Sequence, residues 1–215
     1  MTYVHRNRIL TMQDIIVALY NEGKHNVFHS DLTQHKNQHG QYVELRNVVF
    51  KCDKDQMVNA PEYDDVANGQ WYVENYEPRI MAQVPLAVNN LINDNTSRRG
   101  VFTFFNEDDV SGKEPPCTMY VALRLDKMAG KAYSLSYTVH MRSSDIVEMT
   151  SDLRFHRRLR HVIACELQNK MHPVQIVESP IIWCADSLQC YEGAWQSLKE
   201  AYDSLGEIHY VDEIH

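Results

Sequence analysis

The chain has 215 residues, 44% of them hydrophobic, with a formal charge of −8 and a pI near 5.7. That length and apolar content suit one globular domain over 1–215 with a sizeable core. The acidic balance argues against a broad nucleic-acid face and leaves room for a small anion pocket. Five cysteines, Cys52, Cys117, Cys165, Cys184 and Cys190, are odd in number and include no CxxC pair. Neither a zinc site nor a disulfide framework is expected, and a reducing cytosol is. The opening segment has no long apolar run, so no leader is read there, and no run nears the ~20 apolar residues of a membrane span.

In chain order, TMQDIIVALYNEG predicts a helix. Thr11 is its N-cap, Ile15, Ile16, Leu19 and Tyr20 form its apolar stripe, and Gly23 ends it. Residues 24–40 are polar and hold His25, His29, His35 and His39. Their spacing fits no standard metal site, and a solvated loop is the reading. QYVELRNVVF, 41–50, predicts a strand, and 53–79 reads as irregular, acidic and rich in turns. RIMAQVPLAVNNLIND, 79–94, reads as a helix that Pro85 kinks or divides.

Strands follow at 100–105, 118–125 and 131–141. The last alternates strictly, with Tyr133, Leu135, Tyr137 and Val139 on one face and Ser134, Ser136, Thr138 and His140 on the other. The same parity carries Arg142 onto the polar face. RFHRRLRHVIACELQNKM, 154–171, reads as an amphipathic helix capped by Ser151 or Asp152. VQIVESPIIW, 174–183, is a strand, and 191–205 is a final helix. No repeat or linker divides the chain, and the order predicts an α+β fold with a large sheet.

Three short segments can carry chemistry. Pro115 and Pro116 stiffen the backbone in front of Cys117, which is what a positioned nucleophile needs. A free cysteine is more often a small buried hydrophobe, and nearby cations separate the two readings. TSRRG sets Arg98 beside Arg99, and MRSSD sets Arg142 beside Ser143 and Ser144. Arginine forks with hydroxyls form phosphate clamps, whereas a single arginine is ordinarily a solvated surface charge.

Taken in order, SRRG, PPCT, MRSSD and PIIW resemble the thymidylate synthase superfamily, most closely its branch of phage deoxycytidylate 5-hydroxymethylases. That branch has Thr after the nucleophile and Met before Arg-Ser, as do Thr118 and Met141, where thymidylate synthases have His and Gln. The resemblance implies a three-layer domain whose large mixed sheet forms a homodimer interface. It implies that Cys117 adds to C6 of a pyrimidine deoxynucleotide monophosphate. C5 would then take a one-carbon unit from 5,10-methylenetetrahydrofolate, with dCMP to 5-hydroxymethyl-dCMP as the leading reaction.

By the same resemblance, Arg142, Ser143 and Ser144 hold the 5′-phosphate and lower the Cys117 pKa. Arg98 and Arg99 reach into the partner's site. Asp145 lies at the nucleotide or folate edge. Asp152, reached by assuming a one-residue deletion, reads the cytosine amino group as an acceptor. Ser187 and Tyr191 meet the deoxyribose, with Gln189 where the family has His. The family's catalytic glutamate falls on Asn68, with Glu62 and Glu74 as nearby carboxylates. The resemblance also implies a bacterial or phage-infected cytoplasm, with no direct nucleic-acid binding. A dUMP-acting relative and a non-catalytic nucleotide-binding homologue are the alternatives left open.

Overall fold

A computed structural model describes residues 10–25, 29–30, 41–52, 65–111 and 115–205. The histidine-rich loop reading at 31–40, Glu62 and the acidic segment 53–64 lie outside the described residues. Eight strands make one sheet: β1 (Leu10–Thr11), β2 (His29–Ser30), β3 (Gln41–Cys52), β4 (Val101–Thr103), β5 (Thr118–Lys127), β6 (Ala132–Met141), β7 (Ser144–Asp145) and β8 (Gln175–Tyr191). The order is β1-β3-β8-β6-β5-β4, with β2 on β3 and β7 on β8. β6 and β8 run parallel, while β3–β8, β5–β6 and β4–β5 are antiparallel, so the predicted large mixed sheet is present.

Period-two patterning decides which face is buried. Phe50, Trp183, Val139, Val121 and Phe102 are register partners across five strands, and all are fully buried. The next row, Val49, Cys184, His140, Tyr120 and Thr103, points the other way. There Val49 and Tyr120 are exposed, His140 is half-buried, and Tyr120 stacks on His140 at 4.1 Å. Val101 adds a further exposed apolar side chain to this uncovered face.

The helices are α1 (Met12–His25), α2 (Asp65–Asn75), α3 (Glu77–Ile80), α4 (Gln83–Asn93), α5 (Glu107–Val110), α6 (Met149–Lys170) and α7 (Trp195–Ser204). Thr11 caps α1 as predicted. Its Oγ1 accepts from the Asp14 amide at 3.2 Å, and Asp14 Oδ2 accepts from the Thr11 amide at 2.7 Å. Gly23 does not end the helix, which runs on to His25. A Cβ at Gly23 would lie 2.3 Å from the Trp195 ring, so the position is small because α1 and α7 meet there.

The segment read as irregular contains α2 and α3. Gly69 and a weak apolar pattern hide α2 in the sequence, and aromatic packing of Trp71, Tyr72 and Tyr76 with Phe104 and Phe155 holds it. The predicted break at Pro85 falls instead at Met81 and Ala82. Pro85 sits in the first turn of α4, where its missing N–H has no helical partner to lose. α6 starts at Met149, so neither Ser151 nor Asp152 caps it; both lie inside its first turns. Asp145 Oδ1 accepts the Val147 and Glu148 amides at 2.8 and 3.0 Å and braces the approach to the helix.

β8 continues eight residues beyond the predicted strand, carrying Ser187 and Tyr191 into the sheet. Its Pro180 lies at the register irregularity opposite β6 and before pairing with β3 begins, where a missing donor costs no ladder bond. No helix among the described residues is long and apolar enough to cross a membrane.

Candidate active site

Cys117 stands immediately before β5, held from three sides. Its amide donates to the Tyr76 hydroxyl at 3.2 Å, and its carbonyl accepts from the Arg142 amide at 3.0 Å. The Arg142 guanidinium donates from Nε to Pro116 O at 3.1 Å and from Nη2 to Pro115 O at 2.8 Å. The same Nη2 lies 4.0 Å from Cys117 Sγ. The arginine therefore ties the Pro-Pro-Cys turn to the end of β6 and puts a fixed cation beside the sulfur. Among the described residues its Nη1 makes no hydrogen bond, leaving a donor edge for an anion.

Arg142 does pull the thiol pKa down, as expected, but the net shift is upward. Burial pushes Cys117 up to about 11, with the Asp152 and Glu148 charges adding to it and Arg142 opposing. In a half-closed site next to two carboxylates, one guanidinium does not compensate for desolvation. The resting thiol is protonated, chiefly because it is buried.

Asp152 is 9% exposed and points into the space between α2 and α6. The Tyr72 hydroxyl donates to its Oδ1 at 2.6 Å, and the Tyr72 ring stacks on Phe155 at 5.0 Å. Burial raises the Asp152 carboxyl to about 7, with Glu148 and Asp145 repelling its charge and the Tyr72 hydrogen bond pulling the other way. Tyr72 and Tyr76 are themselves pushed up, mainly by burial and next by Asp152, so both hydroxyls stay protonated donors. Below them His156 is fully buried, with Nδ1 2.9 Å from the Tyr137 hydroxyl and Nε2 3.3 Å from Thr118 Oγ1. Burial lowers it to about 3, so it is neutral packing beneath the strand that carries Cys117.

The other sequence-derived residues divide between this centre and other places. Ser143 is half-buried beside Arg142. Ser144 is 3% exposed in β7, and its Oγ has no hydrogen-bond partner among the described residues. The Asp145 oxygen that braces α6 is committed to backbone amides. Ser187 follows the β8 residues paired with the end of β6, and two strand spacings put it roughly 10 Å from Cys117. Its hydroxyl donates to Glu44 Oε1 at 2.5 Å and accepts from Gln189 Nε2 at 2.8 Å, and Tyr191 OH donates to Gln189 Oε1 at 3.0 Å. These residues form one polar ladder along β3 and β8.

Arg98 and Arg99 are not near the thiol of their own chain. They precede Gly100, whose carbonyl accepts from Leu123, six residues along from Cys117 and roughly 20 Å away. Gly100 allows that approach, because a Cβ there would lie 2.8 Å from Leu123 O. Both arginines are exposed, and among the described residues neither guanidinium makes a hydrogen bond or ion pair.

Glu74 is exposed and accepts from Gln70 at 2.7 Å, so it faces away from the thiol. The carboxylate that bears on Cys117, Asp152 and Tyr72 together is Glu148, which the sequence reading passed over. Tyr72 and Tyr76 were also missed. Their signal was an aromatic pair four residues apart, masked because the segment looked irregular.

A cleft of about 270 Å³ opens beside Asp152, between α2–α3 and α6. Tyr72, Val73 and Phe155 line its apolar side, and Arg154 and Arg158 with the carboxylate Glu77 its charged side. The thymidylate synthase family model matches residues 35–179 of the chain, a span that holds every site residue named above except Ser187, Gln189 and Tyr191. No curated protein sequence matches the chain significantly.

Proposed function

Because this chain belongs to the thymidylate synthase family, whose members transfer one-carbon units to C5 of pyrimidine nucleotide monophosphates, we propose that it hydroxymethylates dCMP. The observation that carries the cytosine choice is the buried Asp152 carboxyl beside Cys117. Cytosine offers an amino donor at N4 and an acceptor at N3. An ionised carboxylate accepts from N4, whereas against the uracil O4 it meets a second acceptor. With its pKa near 7 the same group also holds a proton that N3 can accept as C6 is attacked.

In this reading Cys117 Sγ bonds to C6 as its proton passes by way of the Asp152 carboxyl to N3, the C5–C6 π pair shifts through the ring to make C5 enamine-like, and Arg142 stabilises the sulfur as the proton leaves. The N4 donor of cytosine lies against the Asp152 charge, which after burial is the second force holding the thiol protonated. Tyr76 fixes the Cys117 backbone, and Tyr72 fixes the Asp152 oxygen.

The family generally uses methylenetetrahydrofolate, and the cleft between α2–α3 and α6 is the place we assign to it. Tyr72, Val73 and Phe155 suit a flat ring system, and Arg158 suits a carboxylate tail. When bound there the group supplies the electrophilic one-carbon unit. Water rather than hydride completes the transfer in a hydroxymethylase.

Members of the family act as dimers. The uncovered sheet face with Val49, Val101 and Tyr120 is the surface we assign to the second copy. Across it, Arg98 and Arg99 of one chain bind the phosphate in the site of the other, which accounts for two exposed guanidiniums that make no side-chain hydrogen bond among the described residues and lie far from their own thiol. The deciding measurement is tritium release from [5-³H]dCMP and [5-³H]dUMP, with and without methylenetetrahydrofolate, by wild type and Cys117→Ala. Release from dCMP that the variant abolishes supports the reading. Release from dUMP alone transfers it to a thymidylate synthase-like reaction, and no release from either leaves a nucleotide-binding homologue.

A further inference from the structure

Cys165 and His161 lie one turn apart on the exposed face of α6, far along the helix from Asp152. Their neighbour across the gap is Glu178 of β8, whose Oε1 is 2.8 Å from His161 Nδ1. A carboxylate accepts and cannot donate, so Nδ1 carries the imidazole proton and Nε2 presents its lone pair. That Nε2 is 3.6 Å from Cys165 Sγ. The second oxygen of Glu178 accepts from Arg160 Nε at 2.9 Å. Arg160 is 6% exposed and is anchored in turn by Nη1 donating to Ser179 O at 2.5 Å. Burial pushes the Glu178 carboxyl up, but the hydrogen bonds from His161 and Arg160 prevail and hold it below its ordinary range.

The arrangement is a nucleophile, a base with the correct nitrogen free, and an orienting carboxylate fixed by a buried arginine. Along α6 the charged neighbours are Arg157 and Arg158 one turn before the pair and Glu166 after it, and Glu166 is drawn to Lys170 at 2.7 Å. From β8 the facing group is Glu178. The other cysteines differ: Cys117 and Cys190 are pushed up to about 11 and about 12, chiefly by burial, burial also raises Cys184, and Cys52 is buried.

We propose that Cys165 is a second nucleophilic thiol of this protein, activated by His161 and Glu178 and built to exchange with small disulfides. Standing on an open helix face, it suits a reaction that needs in-line approach to sulfur and no cradle for an oxyanion. His161 Nε2 takes the thiol proton as Sγ bonds to one sulfur of the disulfide. The disulfide S–S bond breaks, and the departing thiolate leaves as a thiol with the proton from His161. The products are a mixed disulfide on Cys165 and one free small thiol, so the incoming disulfide is the sole oxidant.

The full chain is treated with neutral 4,4′-dithiodipyridine, rates are followed by thiopyridone release, and the modified cysteine is identified by mass. One fast thiol per chain is expected, lost in Cys165→Ser and slowed about tenfold or more at pH 7 in His161→Gln. An ordinary thiol slows about 25-fold from pH 9 to pH 7 as its thiolate fraction falls. His161→Gln is expected to show that drop and wild type a much smaller one. Incubation with oxidised glutathione should add one glutathionyl group, on Cys165. A fast thiol that maps elsewhere overturns the proposal, as does a His161→Gln chain with wild-type rate and pH dependence. His161 and Cys165 are both exposed, so these variants keep the fold, and a circular dichroism melt checks it.

Discussion

Replacing Asp152 by Asn tests the electrostatics of the site without any substrate. The carboxyl is raised from an ordinary 3.8 to about 7, and burial is the largest cause. The native state thus holds a proton that the unfolded chain gives up, so stability falls as pH rises from about 4 to about 7. A displacement of that size corresponds to roughly 4 kcal/mol against the fully ionised form, present above pH 7 and absent below pH 4. Asn keeps the shape, and its Oδ1 still accepts from Tyr72, so the hydrogen bond at 2.6 Å is largely retained. The Asn chain is therefore expected to match wild type at pH 4 and to exceed it by about 2–4 kcal/mol at pH 8. Urea unfolding at intervals from pH 4 to pH 8 measures the difference. If the two stability curves run parallel across that range, Asp152 is not raised and the reasoning fails. In turnover the same variant should move base preference from cytosine toward uracil, because an amide offers a donor where the carboxylate offers none.

Tyr72→Phe removes the hydrogen bond that opposes the rise of Asp152, so the pH dependence of C5 exchange should shift upward by about one pH unit, and an unchanged profile would separate Tyr72 from the chemistry. Arg98→Ala should weaken dCMP binding about tenfold and leave deoxycytidine unaffected, since the lost group meets phosphate. Mixing Arg98→Ala and Cys117→Ala chains should restore tritium release through hybrid dimers with one intact site; failure to do so argues that Arg98 does not act in trans. Gly23→Ala should cost about 1–3 kcal/mol in urea unfolding, because the new Cβ meets the Trp195 ring at 2.3 Å; a neutral effect would mean that α1 and α7 yield freely there.

Strands were the most legible part of the sequence, because period-two burial is written directly into Leu135, Tyr137 and Val139 against Ser136, Thr138 and His140. The Thr11 cap was legible for a similar reason, since its partner Asp14 is three residues away. The helix over Asp65–Asn75 was not, because long-range aromatic contacts rather than local propensity hold it. The sequence offers Asp152 both as a helix cap, since a carboxylate before an amphipathic run normally serves there, and, by resemblance, as the reader of the base. Asp145, further upstream, braces the helix instead, and Asp152 lies inside the first turns of the helix, accepting from the Tyr72 hydroxyl.

By itself the sequence determined the reactive types and their order: a thiol behind two prolines, an arginine with serines, a pair of arginines and a mixed sheet to carry them. Those are local facts, readable from neighbours in the chain. Only the tertiary structure decided their states. Burial, a property of the whole packing, keeps the Cys117 thiol protonated and the Asp152 carboxyl near neutral pH. Strand register sets Arg98 and Arg99 at the far end of the sheet from their own thiol. The exposed Cys165 has its histidine one helical turn away, but the Glu178 carboxylate that orients that histidine comes only from the meeting of α6 with β8, which no spacing in the sequence announces.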